Sequence, residues 1–217
     1  MGTESIEASF LSIFALISFF IFLIVSKFSH KISNGVLLDK DFLKPQAFHD
    51  SPVTRSGGVA AIISLSFFFI IYYLLYTKIL YDYIFVSYSV FLLGFLDDLR
   101  INIKPLKRLL IMVFVLFIII YFLPIRILNI DIPFLAYLMS NHIFSSIFVL
   151  LCFLFIINGA NLIDGFNGLL TINLIIINII LAYININNNL EFSILIISQI
   201  IILLSFLLFN FPSAKIF

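Results

Sequence analysis

Residues 158–169 read Asn-Gly-Ala-Asn-Leu-Ile-Asp-Gly-Phe-Asn-Gly-Leu, a polar, glycine-rich stretch between two long apolar runs. Its polar members recur every third residue: Asn158, Asn161, Asp164 and Asn167. On an α-helix such positions drift by about 60° per step, whereas a 3₁₀-like turn would align them. The glycines weaken a helix and favour the turn. Because an acid between apolar segments indicates a functional site, we predict a membrane-embedded polar site; an ordinary polar loop is the alternative.

The composition around this stretch is that of a polytopic membrane protein. Of the 217 residues, 63% are hydrophobic and 11% are charged, and the mean hydropathy is +1.24. A soluble core could not bury so much apolar surface. The net charge of +1 comes without a basic cluster, so we expect no nucleic-acid partner. The single cysteine, Cys152, excludes a disulfide framework.

Seven apolar segments are predicted to cross the membrane. The first is an uncharged run of 19 residues between Glu7 and Lys27, close to the roughly 20 that a helix needs to cross about 30 Å of hydrocarbon. The others are residues 58–76, 83–96, 109–123, 143–157, 169–186 and 192–209. The predicted fold is therefore all-α, with about seven transmembrane helices forming one integral membrane domain over residues 1–217.

The distribution of lysine and arginine predicts the topology. Ten of the twelve fall on the side reached after the first span, and only Lys78 and Arg126 fall on the other side. By the positive-inside rule the first side is cytoplasmic and the N-terminus lies outside. The same side collects residues 29–57, 97–108 and 158–168, so every polar cluster of interest is predicted to face the cytoplasm.

Two adjacent carboxylates, Asp97 and Asp98, end the short third segment. Successive helical residues point about 100° apart, so two different roles are expected rather than a symmetric pair. The two like charges raise each other's proton affinity unless they share a cation. Mg²⁺ is usually held by one or two carboxylates together with substrate phosphates, which predicts a magnesium site here. The alternative is an interfacial helix end that pairs with the basic turn at residues 100–108.

The first cytoplasmic loop ends in a basic residue and a double glycine, Arg55, Gly57 and Gly58. Glycine amides at a helix N-terminus and an arginine nearby can bind an anion, and phosphate is the anion that this pattern suggests. The alternative is that Arg55 only anchors the loop at the cytoplasmic face of the membrane.

Four stretches together resemble the polyprenyl-phosphate N-acetylhexosamine-1-phosphate transferases, glycosyltransferase family 4: residues 52–58, 94–99, 158–169 and 209–217. The resemblance implies an integral membrane enzyme that transfers a sugar-1-phosphate from a UDP-sugar to a polyprenyl phosphate, releases UMP and requires Mg²⁺. Residues 52–58 lack the Thr-Met-Gly-Gly of the peptidoglycan enzyme, which favours the O-antigen or capsule branch. A bacterial-type inner membrane location is then expected, and a homodimer stays open.

The resemblance also implies roles for individual residues. Asp97 and Asp98 would serve the acceptor phosphate and the metal, and Asp164 with Asn161 would serve the nucleotide. Asn167, Arg55, Gly57 and Gly58 are the further residues expected to contact substrate.

The sequence departs from the family pattern at two places. Asn167 stands where many members have a second aspartate, and its uncharged amide cannot supply that negative charge. Residues 209–217 resemble the approach to a metal-binding Met-Gly-Asp motif that this sequence does not reach, so we expect an N-terminal two-thirds of a longer protein.

Two other classes of function remain open at this point. A cation-coupled transporter also places Asp and Asn beside broken helices, but its site should lie near the middle of the membrane. A non-catalytic fragment of a family member is the other alternative.

Overall fold

The computed structural model describes residues 3–32, 37–39, 53–99, 105–123, 125, 127, 130–163 and 166–217. Eight helices and one pair of two-residue strands make up this described part. In chain order they are α1 (Thr3–Ile32), β1 (Leu38–Asp39), β2 (Val53–Thr54), α2 (Gly57–Tyr76), α3 (Tyr81–Asp98), α4 (Pro105–Phe122), α5 (Pro133–Met139), α6 (His142–Ile163), α7 (Leu169–Asn185) and α8 (Leu190–Asn210).

The fold is helical, as predicted, and each predicted apolar segment falls on a helix. Within the described residues, four helical stretches are long and apolar enough to cross a membrane: Glu7–Ser29, Gly57–Tyr76, His142–Ile163 and Leu190–Asn210. Two shorter apolar stretches, Tyr81–Leu96 and Leu169–Asn185, accompany them. Helix α5 was not predicted, because its seven residues are too few for the membrane-length pattern that was sought.

Phenylalanine side chains fill the contact between α1, α2 and α8. Phe14, Phe22 and Phe68 are completely buried. The Phe14 ring meets the Phe68 ring edge-on at 5.5 Å, and Phe22 meets Phe206 of α8 at 6.1 Å. Ring pairs at these separations add about 0.5–1.5 kcal/mol each beyond the area they bury. The three helices therefore form one aromatic core, and α7 packs along the side of α8.

A second core joins α4 to α3 and α6. Met112, Leu116 and Ile119 lie one turn apart on α4 and are buried. They pack against residues of α3 such as Val90 and of α6 such as Ile157. The end of α3 that carries the carboxylates is thereby held beside the end of α6 that carries the asparagines.

Two buried serine hydroxyls, one in α2 and one in α8, are satisfied within their own helix. Ser64 donates to the carbonyl of Ala60 at 2.9 Å, and Ser198 donates to that of Leu195 at 2.7 Å. Such bonds remove the cost of an unpaired polar group where no water is present. Small serines can therefore let the helices pack closely within an apolar bundle.

Polar contacts gather at both ends of the antiparallel helices α2 and α8. At one end, Lys78, which follows α2, pairs with Glu191 at the start of α8, and the Nζ and Oε2 atoms lie 2.6 Å apart. At the same end, the Asn189 side chain caps α8 by accepting a hydrogen bond from the Phe192 amide at 3.1 Å. At the other end, the start of α2 meets the chain segment that follows α8. Of the residues expected to carry the chemistry, Gly57 lies at that second end, with Arg55 and Gly58 beside it.

Candidate functional site

An ion pair joins two of the predicted clusters. The Arg55 Nη1 atom lies 3.5 Å from Asp98 Oδ1, and the two side chains are 24% and 37% exposed. Asp98 is the last residue of α3, and Arg55 lies just before α2. The alternative was pairing with the basic turn at 100–108, and residues 100–104 of that turn lie outside the described part. The side chain of Asp97 is outside the described part, although its backbone belongs to α3.

Two short strands and a hydroxyl network hold Arg55 in place. Leu38 pairs with Thr54 and Asp39 with Val53 in antiparallel register, and the Arg55 amide donates to the Leu37 carbonyl at 2.8 Å. The fully buried Thr54 hydroxyl lies 2.9 Å from the Ser29 hydroxyl at the end of α1 and 3.1 Å from that of Ser56. Sequence analysis missed this strand pair, because two residues per strand are too few for a visible alternation.

The two glycines that follow Arg55 are in different environments. The Gly57 amide, expected to face an anion, donates instead to the main-chain oxygen of Phe217 at 2.6 Å. A Cβ atom on Gly57 would lie 2.5 Å from Phe206 Cε2, so close packing with α8 requires a glycine. Gly58 is exposed, and a Cβ there would meet nothing within 4 Å. Of the two, Gly58 is the one with open space beside it.

The asparagine-rich stretch does not form the continuous turn that we predicted. Helix α6 runs on through Asn158, Gly159 and Asn161 to Ile163. The Asn158 side chain donates to the Leu154 carbonyl one turn back, at 2.8 Å, so the helix itself satisfies it. A Cβ atom on Gly159 would meet nothing within 4 Å, which means that packing does not require a glycine there.

Asn161 is exposed at the end of α6, where its side chain can reach a ligand. Asp164, predicted to serve the nucleotide, lies outside the described residues. After this gap, Phe166 and Asn167 belong to the turn that precedes α7.

The turn occupies residues 166–168, and Gly168 fixes its shape. Gly168 has a φ of +77°, a conformation that only glycine adopts without strain. A Cβ atom on it would lie 2.9 Å from Leu207 Cδ1 of α8. The neighbouring Asn167 donates from Nδ2 to the Pro212 carbonyl at 3.0 Å. The second half of the predicted site is therefore bound to the segment after α8.

Asn210 is a central residue that sequence analysis missed. This residue ends α8 and is buried. Its Oδ1 atom accepts a hydrogen bond from the Gly168 amide at 2.6 Å, and its Nδ2 atom donates to the Ile216 carbonyl at 3.0 Å. A lone asparagine that ends a 21-residue apolar helix was the signal that could have found it.

An apolar pocket of about 140 Å³ lies between α3, α4 and α6. It is lined by Val90, Leu93, Gly94, Leu96, Arg108, Ile111, Met112 and Ile157. Gly94 precedes Asp98 by one helical turn, and Ile157 directly precedes Asn158, so the pocket lies beside the polar residues. A more open groove of about 590 Å³ at α5 and the start of α6 has no charged side chain in its lining and lies at the opposite end of α6.

Protein side chains alone do not form a complete metal site in the described part of the chain, where no three His, Cys, Asp or Glu residues cluster. Asp98 provides one described carboxylate, and Asp97 precedes it on the same helix. One or two carboxylates suffice when substrate phosphates supply the remaining ligands of Mg²⁺. The donor set at this helix end is therefore compatible with that ion.

These observations define a protein of membrane-length apolar helices in which Arg55 pairs with Asp98 and Asn167 is bonded to the segment after α8. The chain belongs to glycosyl transferase family 4, because the model of that family matches residues 80–217. The match includes Asp98, Asn161 and Asn167 and begins after Arg55 and the two glycines. Among the curated proteins, none matches the chain. Family membership indicates transfer of a sugar phosphate to a polyprenyl phosphate.

Proposed function

We propose that the protein transfers an N-acetylhexosamine-1-phosphate from a UDP-sugar to polyprenyl phosphate as the first step of a lipid-linked glycan pathway. The observation that carries this proposal is the Arg55–Asp98 ion pair. It joins two clusters that lie far apart in sequence, and in the proposed site Asn161 and Asn167 would supply amide side chains beside this cation and carboxylate. The match to glycosyl transferase family 4 supports the reaction class.

In the proposed reaction an oxygen of polyprenyl phosphate attacks the phosphorus that bears the sugar. The new P–O bond forms as the bond from that phosphorus to the bridging oxygen breaks, and this oxygen leaves with UMP. Such a transfer needs positioning and neutralisation of charge more than covalent chemistry. Arg55 would neutralise phosphate charge, and Gly58 would offer an open approach to the helix N-terminus.

Asp97 and Asp98 would hold Mg²⁺ together with substrate phosphates. The ion would neutralise charge that develops on the phosphate oxygens. Since Arg55 already lies 3.5 Å from Asp98, it can accompany the metal-binding carboxylate and contact the same phosphate. Asp164, Asn161 and Asn167 would bind the nucleotide. The Asn167 amide nitrogen contacts Pro212, which leaves its carbonyl oxygen as the group to accept a bond from substrate.

The apolar pocket beside Asp98 supports a lipid acceptor. Its lining is hydrophobic except for Arg108, and the pocket begins one helical turn from the carboxylate. A polyprenyl chain could lie against α3, α4 and α6 while its phosphate reaches Asp98 and Arg55. The described candidate polar residues lie at helix ends and not in the middle of helices. This placement also favours the enzyme over a cation-coupled transporter.

We further propose that all seven apolar helices span the membrane, with the N-terminus outside and the site at the cytoplasmic face of a bacterial inner membrane. The ten-to-two distribution of lysine and arginine supports this topology. The site would then be open to a soluble nucleotide sugar and to a lipid in the cytoplasmic leaflet. The O-antigen or capsule pathway is the branch that we propose.

The experiment that tests the proposed function is a panel of radiolabelled UDP-sugars offered to the full natural protein, purified in lipid nanodiscs. We expect one UDP-N-acetylhexosamine to give a labelled lipid product and an equal amount of UMP. Both should require polyprenyl phosphate and disappear when EDTA removes Mg²⁺. If no sugar is transferred, while an Asp98-dependent cation flux is measured in vesicles, the enzyme proposal is wrong and the transporter is supported.

A further inference from the structure

The segment after α8 connects parts of the candidate site that lie far apart in sequence. Its residue Phe217 donates from its amide to the Thr54 carbonyl at 2.8 Å and accepts from the Gly57 amide at 2.6 Å. Ile216, which is fully buried, pairs in parallel with Thr54. Because Arg55 lies between Thr54 and Gly57, these bonds fix the backbone on both sides of the arginine that pairs with Asp98.

Asn210 connects this segment to the asparagine-rich stretch. The residue is 4% exposed, and a buried amide needs partners for both of its ends. Its oxygen accepts from the Gly168 amide at 2.6 Å, and its nitrogen donates to the Ile216 carbonyl at 3.0 Å. Only the amide nitrogen can donate to a carbonyl, so the two contacts together determine which way the side chain points.

Gly168 has little freedom to move away from this contact. Its φ is positive, and a Cβ atom at this position would lie only 2.9 Å from Leu207, so the turn is held against α8. One residue earlier, Asn167 is bonded to Pro212 of the same segment. A continuous chain of bonds thus leads from Gly168 through Asn210, Ile216 and Phe217 to the residues that flank Arg55.

We propose that Asn210 is a positioning residue that sets the distance between the nucleotide-binding asparagines and the Arg55–Asp98 pair. This inference rests on the proposed function. Asn210 acts through Gly168 and Ile216 and does not contact substrate. Misplacing reacting groups by about 1 Å can cost on the order of 100-fold in rate, so loss of this side chain should lower turnover even though every substrate-binding residue remains.

Hydrogen–deuterium exchange and kinetics of two variants test the inference in the full natural protein in nanodiscs. Asn210→Leu removes both bonds at similar volume, so exchange should quicken in peptides that contain Gly168 and in those that contain Gly57. Asn210→Asp keeps the acceptor and loses the donor, so only the Gly57 peptides should quicken. The matched control is Asn173→Leu, because Asn173 is exposed and its side chain donates to Leu169 in its own helix.

In Asn210→Leu we expect kcat to fall about 10- to 100-fold relative to Asn173→Leu, while the KM for the UDP-sugar changes less than about threefold. Unchanged exchange at either glycine in this variant, or turnover equal to that of the control, would overturn the inference. If Asn210→Leu does not fold, the split exchange pattern of Asn210→Asp decides it. If the unaltered protein releases no UMP, the proposed function fails, and the exchange pattern alone still decides whether Asn210 connects the two segments.

Discussion

Asp98 is the residue whose charge the proposed reaction would use most directly, since it lies beside Arg55 and next to Asp97 at the end of α3. Asp98→Asn keeps the side-chain shape and removes the negative charge. We expect UMP release to fall by about 100-fold or more, because lost charge neutralisation costs several kcal/mol at the transition state. The matched control is Asp82→Asn on the same helix, at its opposite, exposed end. Equal turnover of the two variants would remove Asp98 from the reaction.

Gly57 and Gly58 are adjacent, yet the structure predicts opposite effects for an added methyl group. Gly57→Ala places a Cβ 2.5 Å from Phe206 Cε2 and 2.9 Å from the Phe217 oxygen, so the Phe206 ring of α8 and the backbone at Phe217 must shift. Overpacking of this kind costs about 1–3 kcal/mol. Gly58→Ala meets nothing within 4 Å and gains helix propensity. Thermal unfolding in detergent should show a lower Tm for Gly57→Ala alone; an equal or higher Tm than Gly58→Ala would contradict the contact with α8.

At the scale of elements, the apolar runs predicted the helices because length and hydropathy are strong local signals. The sequence did not show where α6 ends. Three glycines, and polar residues at every third position, favoured a turn from Asn158 onward. The Asn158 side chain, however, is satisfied by a hydrogen bond within its own helix. Of the described glycines, Gly168 alone has a left-handed conformation. The β1–β2 pair and the bonds of Asn210 depend on long-range contacts, which a single sequence does not reveal.

Two glycine variants test this boundary of α6. Gly159 lies inside the helix with open space around it, so Gly159→Ala should leave stability unchanged or raise it by up to about 1 kcal/mol. Gly168→Ala must adopt a positive φ and displace Leu207, and it should lower stability by about 1–3 kcal/mol. Unfolding monitored by circular dichroism would measure both. Destabilisation by Gly159→Ala would indicate that the turn begins at Asn158 after all.

At the scale of the whole molecule, the convergence of helix ends could be predicted in outline. The number of apolar segments and the positions of lysine and arginine predict one side of the membrane for residues 29–57, 97–108 and 158–168. In the structure Arg55 pairs with Asp98, and Gly168 is bonded to Asn210 at the end of α8. The sequence could not predict which cation pairs with which acid, because several arginines and lysines share that side. The segment after α8, which links the clusters, carried no charge pattern that would identify it.

The proposed topology has a direct labelling test. Single cysteines at positions 55 and 104, in a Cys152→Ala background, should resist an impermeant thiol reagent added outside whole cells. A cysteine at position 78 should react, because Lys78 is predicted to lie on the opposite side and is exposed. Permeabilised cells give the control for reactivity. External labelling at position 104 would reverse the assignment of the two sides.

The central claim is that clusters far apart in sequence form one catalytic site, and a double-mutant cycle of UMP release tests it most directly. Arg55→Gln, Asp98→Asn and the double variant would be compared with the unaltered protein at saturating UDP-sugar and polyprenyl phosphate. Residues that act on one phosphate in contact with each other should not be additive. We predict that the double variant loses about as much turnover as Asp98→Asn alone. Losses that multiply independently would contradict a shared site.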